Sequence, residues 1–180
     1  YKVVHGIMQY APIGVFVLIA IVFAQQGPRV IGPLLFVTVL VYVCLALHIF
    51  IGYGGIMSIF GLNLFTFLKG AQEAMITAFV TRSSSATLPV SLQVSEENLG
   101  VPRSISAFAL PIGATVNMEG TAIYLSVCAT CIANAVGIPL TIDQQITIRL
   151  TGTLGAIGAA GVPGAGAIMM LMVLESIGLK

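Results

Sequence analysis

The sequence is poor in charge. Of 180 residues, 7 are Lys or Arg and 6 are Asp or Glu, 7% together, where an ordinary soluble domain carries about 25%. Tryptophan is absent and cysteine is scarce, at 3 residues. A net charge of +1 leaves none of the basic surface a nucleic-acid binder needs, so no nucleic-acid partner is expected. Three cysteines in apolar settings are too few for a disulfide framework. Cys128 and Cys131 form a CxxC on one face of an apolar stretch with no polar partners beside them. Packing is the expected role for both, and for Cys44. No cleavable leader is visible, because Tyr1-Lys2 runs almost at once into apolar sequence. That opening, and the stop at Lys180, suggest a piece of a longer protein.

What is abundant is apolar: 58% of residues, with a mean hydropathy of +1.07. The chain reads as an all-α, polytopic membrane protein, multi-pass in a cell (inner or plasma) membrane, with the lipid bilayer as its main partner. Residues 6–28 carry no formal charge. With about 20 residues needed per span, they make one transmembrane helix, kinked at Pro12 and ended by Gly27-Pro28. Residues 30–68 are again uncharged and give a second helix, with a turn near Gly61-Leu62-Asn63. His48 lies inside it. A lone intramembrane histidine is a functional candidate by default, but with no acidic residue near it in sequence an interhelical hydrogen bond is the expected role.

After Lys69 the pattern changes. Residues 73–81 and 86–94 are short apolar arms around polar Arg82-Ser83-Ser84-Ser85, which predicts a re-entrant helical hairpin. Residues 104–140 are long enough to cross but are interrupted by Asn117-Met118-Glu119-Gly120-Thr121. Two further short arms, 144–159 and 167–174, flank Gly161-Val162-Pro163-Gly164-Ala165-Gly166. Hairpin, broken helix, hairpin is an order that one more helix would complete into a twofold repeat. Interrupted segments at matching places in two halves point to a transporter binding site.

Each interruption has a chemical use and a plainer alternative. At the first tip, the half-helix starting near Ser85 directs free N–H groups and its positive dipole end outward, a ready carboxylate site. The alternative is a cytoplasmic loop with a positive-inside arginine. At the second, a break at Gly120 frees carbonyls that suit a hard cation, with Asn117 and Glu119 adding side-chain oxygens. The alternative is a kink with Glu119 paired to Arg82 or Arg103. The third tip offers almost only backbone, so it could approach and cover a ligand. The alternative is a small-residue packing motif.

Three stretches, SSSATLPVS (83–91), LPIGATVNMEGTAIY (110–124) and IGAAGVPGAG (157–166), resemble in order and spacing the hallmark motifs of the glutamate/aspartate:cation (sodium dicarboxylate) symporter family. KVVHGIMQYAPIGVF (2–16) is similar to that family's fifth helix. The arginine before the serines resembles the archaeal and bacterial sodium–aspartate transporters most. The resemblance implies an inverted-repeat, elevator-type transporter that works as a homotrimer, and no enzyme. It divides the chain into a scaffold and trimerisation helix at 1–28 and a transport domain at 29–180. The latter would hold a helix at 30–60, hairpin one at 64–98, a broken helix at 104–136 and hairpin two at 144–177. A final substrate-reading helix would lie beyond the chain.

The resemblance also implies roles. Arg82, Ser83 and Ser84 would hold the main-chain carboxylate of an acidic amino acid, with Ser84 making the main contact and Arg82 bracing beside it. Thr121 would meet the side-chain carboxylate. Gly161, Val162 and Gly166 would supply backbone from the second tip, acting as the extracellular gate. Sodium, the coupling ion where no other cofactor is expected, would be held by carbonyls of Gly113 and Asn117 at one site. A second would use Thr115, Ala156, Ile157 and Ala159. A third would use the side chains of Asn117 and Glu119, with Met118 between them. The family usually has Asp where Glu119 stands, and vertebrate members have Glu where Leu125 stands. The implied function is sodium-coupled symport of aspartate or glutamate. The alternatives are a proton-coupled glutamate or C4-dicarboxylate symporter, a channel with re-entrant filter loops, and an intramembrane hydrolase using one of Ser83 to Ser85 with His48.

Overall fold

A computed structural model describes residues 13–14, 16–25, 27–159, 161–162 and 164–178. Pro12 and most of the stretch similar to the fifth helix lie outside the described residues, as does Pro163. The chain divides into two compact units, Tyr1–Val39 and Leu40–Lys180. That boundary falls inside a helix.

In the first unit, α1 (Phe16–Gln25) leads to a single 3₁₀ turn at Gly27–Val30 and into α2 (Ile31–Leu47). No residue of α2 is buried, and Leu34, Leu35, Phe36 and Val39 stand exposed. A helix apolar all round belongs in lipid or among further helices. The continuation through His48–Tyr53 and α3 (Gly54–Ile59) makes Gly27–Ile59 one of two helical stretches long and apolar enough to cross a membrane. The other is Arg103–Ala135.

The second unit is built from pairs of antiparallel helices. Asn63 starts α4 (Leu64–Thr81) by accepting from the Phe65 and Thr66 amides, 2.8 and 3.3 Å away. Such caps are worth about 1 kcal/mol, so the first arm begins at Leu64 and carries Lys69 and Glu73 within it, earlier than the charge pattern suggests. It packs on α5 (Ser84–Glu97). At the open end of the pair, a Cβ on Gly70 would stand 2.6 Å from Leu99, and Asn98 donates to the Gly70 carbonyl. Glycine lets the Leu99 side chain lie directly over the helix there. Ser106, on α6 (Arg103–Val116), donates to Glu96 at 2.9 Å and ties the next helix to this end.

α6 ends at Val116, and α7 (Glu119–Ala135) starts after the two residues Asn117 and Met118. Neither Asn117 (ψ 77) nor Met118 (ψ 49) keeps helical backbone, so the expected break is present, two residues before Gly120. A capping box at Thr141, with Gln144, opens α8 (Ile142–Gly158), which turns back into α9 (Ala165–Ser176). α7, α8 and α9 pack together and hold most of the core. Leu125, Cys128, Ala129 and Ala133 are the buried face of α7. Gly152 of α8 lies against Leu125 and Ser126 there, while Gly155 faces Met169 and Met172 of α9. Small residues at such contacts let helix backbones approach closely where lipid supplies no hydrophobic drive. Cys128 is part of this packing. Leu125 is fully buried.

At 1.5 Å per residue, the four hairpin arms measure about 27, 21, 26 and 18 Å. Each is short of the roughly 30 Å of a bilayer core.

Candidate functional site

The first tip is Arg82-Ser83. Arg82 takes left-handed backbone (φ 51), alone among the described non-glycine residues, and caps α4 with its N–H on the Ala78 carbonyl. This sharp reversal lets α5 start two residues later. The first N–H groups of a helix lack intrahelical partners, and at α5 they are filled unequally. The Ala86 amide donates to Ser83 Oγ at 3.2 Å, and the Ser85 amide donates to the Gly161 carbonyl at 3.2 Å. Among the described residues nothing accepts from the Ser84 amide, and the exposed Ser84 hydroxyl is likewise unengaged.

Ser83 and Ser84 therefore do different things. Ser83, only 9% exposed, caps α5 and donates its hydroxyl to the Gly161 carbonyl at 2.7 Å. Among the described residues Ser84 is left with two free donors at the positive end of a helix, the arrangement that binds anions.

Gly161 is the point where three segments meet. A Cβ built on it would lie 2.9 Å from Ser85 Oγ, 3.0 Å from the Ala114 carbonyl oxygen and 3.3 Å from Ser84 Cβ. The two hairpin tips and the last turn of α6 thus approach within one methyl group of each other. Gly166, on the first turn of α9, faces the Tyr124 ring of α7, 3.6 Å from where a Cβ would stand. Val162 is exposed beside Gly161, and Thr121 is half-buried in the first turn of α7.

The ends of α6 and α8 supply the carbonyls. Gly113 accepts from the Asn117 amide at 3.1 Å and Ala156 from the Ala159 amide at 3.2 Å. α6 and α8 pack together, so two carbonyl-bearing, negatively polarised C-terminal ends come from helices in contact. Thr115 lies in the last turn of α6, and Ile157 and Ala159 at the end of α8. No group of three His, Cys, Asp or Glu side chains is positioned for a metal among the described residues. What is offered is backbone and amide oxygen, which suits a hard monovalent cation better than a transition metal.

Glu119 stands apart from Arg82 and Arg103. Its Oε2 accepts from the His48 ring at 2.7 Å and from the Tyr53 hydroxyl at 2.5 Å. His48 and Glu119 form the one ion-pair contact among the described residues. The interhelical hydrogen bond expected of His48 is therefore made to a carboxylate, one distant in sequence. Neither this pairing nor the Ser85 amide contact could be read from spacing.

The sequence profile of the Sodium:dicarboxylate symporter family matches residues 1–180. The chain belongs to this family. An excitatory amino acid transporter of Caenorhabditis elegans is 43% identical over 181 residues, 99% of this chain and 36% of that protein. Human excitatory amino acid transporter 1 is 42% identical, over 99% of this chain and 33% of that protein. A proton/sodium-glutamate symport protein of Geobacillus stearothermophilus is 34% identical, over 99% of this chain and 42% of that protein. Animal and bacterial members of the symporter family thus both align with the chain, which spans 32 to 42% of the length of the curated relatives it matches. The symporter family consists of membrane transporters, not enzymes.

Proposed function

We propose that the full protein is a secondary active transporter of the cell membrane that couples uptake of aspartate or glutamate to the sodium gradient. The observation that carries this reading is the meeting at Gly161 of two helical hairpins with a broken helix, with the Ser84 donors unpaired among the described residues. Arms too short to cross a bilayer fit re-entrant hairpins, whose tips are tolerated at membrane depth only around a polar site. The relatives' names, an excitatory amino acid transporter and a glutamate symport protein, agree in substrate class.

On this reading Ser84, with Ser83 and Arg82 beside it, receives the substrate's main-chain carboxylate, and Thr121 its side-chain carboxylate. Gly161, Val162 and Gly166 close over it. Sodium ions take the carbonyls of Gly113, Thr115, Asn117, Ala156, Ile157 and Ala159, and one takes Glu119 with Asn117 and Met118. The second tip shuts well only when substrate and the cation beneath it are both present, so each raises the other's affinity. The fully buried Leu125 cannot ionise, which favours sodium over proton-linked coupling. On the same reading, residues 1–28 belong to a fixed trimeric scaffold, past which the remainder moves as a unit in the manner of an elevator.

Proteoliposomes of the full-length protein should accumulate labelled aspartate or glutamate only under an inward sodium gradient. Flux indifferent to the gradient would favour a channel, and uptake driven by protons alone would overturn the sodium assignment. Thr121→Ala should weaken substrate affinity about tenfold, the loss of one hydrogen bond to a charged group. Ser95→Ala, which removes a hydroxyl already bonded to the Leu92 carbonyl, should change affinity little. Equal effects would refute the assigned pose.

A further inference from the structure

At His48 the membrane helix changes its winding. From His48 to Tyr53 it is a π-helix, with hydrogen bonds running five residues back. In an α-helix of 3.6 residues per turn, side chains five apart point about 140° away from each other. A turn closed by five-residue bonds stacks them instead. The rings of His48 and Tyr53 accordingly meet edge to face, with centroids 5.1 Å apart. Both reach the same atom, Oε2 of Glu119.

Carboxylate oxygens only accept, so the imidazole nitrogen facing Glu119 carries its hydrogen and the tyrosine hydroxyl donates. Gly52 leaves room for this ring: a Cβ there would stand 3.3 Å from His48 Nδ1 and 3.4 Å from Cε1. Among the described residues, Oε1 of Glu119 accepts no hydrogen bond. Glu119 is also the first residue of α7, where the helix's positive end favours a carboxylate.

We propose that His48 and Tyr53 are positioning residues for cation binding: they hold one oxygen of Glu119 so that the other is presented to sodium beside Asn117. This rests on the reading of Glu119 as an ion ligand and deepens it. A glutamate has one more rotatable bond than the aspartate usual at this place. Left free, it would lose more side-chain entropy on binding an ion. Two donors on Oε2 fix the side chain before the ion arrives, as hydrogen-bonded outer groups do for metal-ligating carboxylates generally. The π-turn is what brings the two donors to one face.

Sodium titrations of aspartate binding by the purified full-length protein test this, with thermal midpoints recorded for each variant. Tyr53→Phe and His48→Ala should each raise the sodium concentration at half-saturation about tenfold, the low end for loss of an outer-shell group. The steepness of the sodium dependence should stay as in wild type. His48→Gln, which keeps an N–H donor, should recover most of the loss. Gly52→Ala, which keeps all three groups but crowds the ring, should shift the midpoint the same way. Glu119→Gln should flatten the dependence, and adding Tyr53→Phe to it should do nothing more. If Glu119→Gln flattens the curve while Tyr53→Phe and His48→Ala leave the midpoint in place, the positioning role is overturned and the ligand reading stands. If Glu119→Gln leaves the curve as in wild type, the ligand reading fails and the proposal with it.

Discussion

Gly161→Val in the full-length protein is expected to reduce sodium-driven uptake at least about a hundredfold, with Gly161→Ala intermediate. Two of the three atoms nearest a Cβ at this position are fixed to backbone: the Ala114 carbonyl oxygen at 3.0 Å and Ser84 Cβ at 3.3 Å. They cannot swing away as the Ser85 hydroxyl can. Alanine must therefore push the tips apart, at the 1–3 kcal/mol typical of overpacking, or about tenfold. Valine adds two further carbons and should exceed that. Since the helix-on-helix core lies elsewhere, around Leu125 and Ile148, the thermal midpoint should move far less than uptake. Gly55→Ala, where nothing lies within 4 Å, is the matching control and should leave uptake near wild type. Near-normal transport by Gly161→Val would mean that the tips do not meet in the working cycle.

Ser83→Ala should cost both affinity and stability, whereas Ser84→Ala should cost affinity alone. Ser83 Oγ is shared between the Ala86 amide and the Gly161 carbonyl. Its loss removes a cap worth about 1 kcal/mol and one of the two hydrogen bonds that the Gly161 carbonyl accepts, each worth about 1 kcal/mol net. Together they amount to roughly 2 kcal/mol of stability, read as a lowered thermal midpoint, while the lost bridge to the second tip, about 1 kcal/mol, should weaken aspartate binding about fivefold. Ser84 has no bond to lose within the described residues, so its removal should weaken substrate binding about fivefold to tenfold and leave the midpoint in place. The reverse pattern would exchange the roles of the two serines.

The sequence spells out punctuation well and convergence poorly. The turn at Gly61 to Asn63, the polar tip at Arg82, the break at Asn117 and the second tip at Gly161 are each marked by Gly, Pro or charge where apolar runs stop. Those marks are local, so they are legible. The start of α4 is hidden from the charge pattern, because Lys69 and Glu73 look like an interruption and the Asn63 cap that overrides them is a single side chain; the motif resemblance alone put the first hairpin's start at 64. The difference between Ser83 and Ser84 is hidden for another reason. Neighbouring serines are chemically identical, and only the start of α5 between them makes one a bridge and the other a free donor. His48, Tyr53 and Glu119 are the furthest from view. Read as an α-helix, His48 and Tyr53 would diverge, so no periodicity could pair them, and their partner lies 66 and 71 residues away. The polar interruption at Asn117 to Thr121 supplied Glu119 as a candidate but not its neighbours.

One carbonyl, that of Gly161, is shared by the Ser83 hydroxyl and the Ser85 amide. Lifting the second tip therefore exposes a specific proton on the first. Hydrogen–deuterium exchange at the Ser85 amide should be slow with substrate and sodium bound and fast without them, while the Ala86 amide, capped from within its own hairpin, stays protected in both. That pair of adjacent amides is a built-in clock for the movement of a distant segment, readable without attaching a probe to the protein.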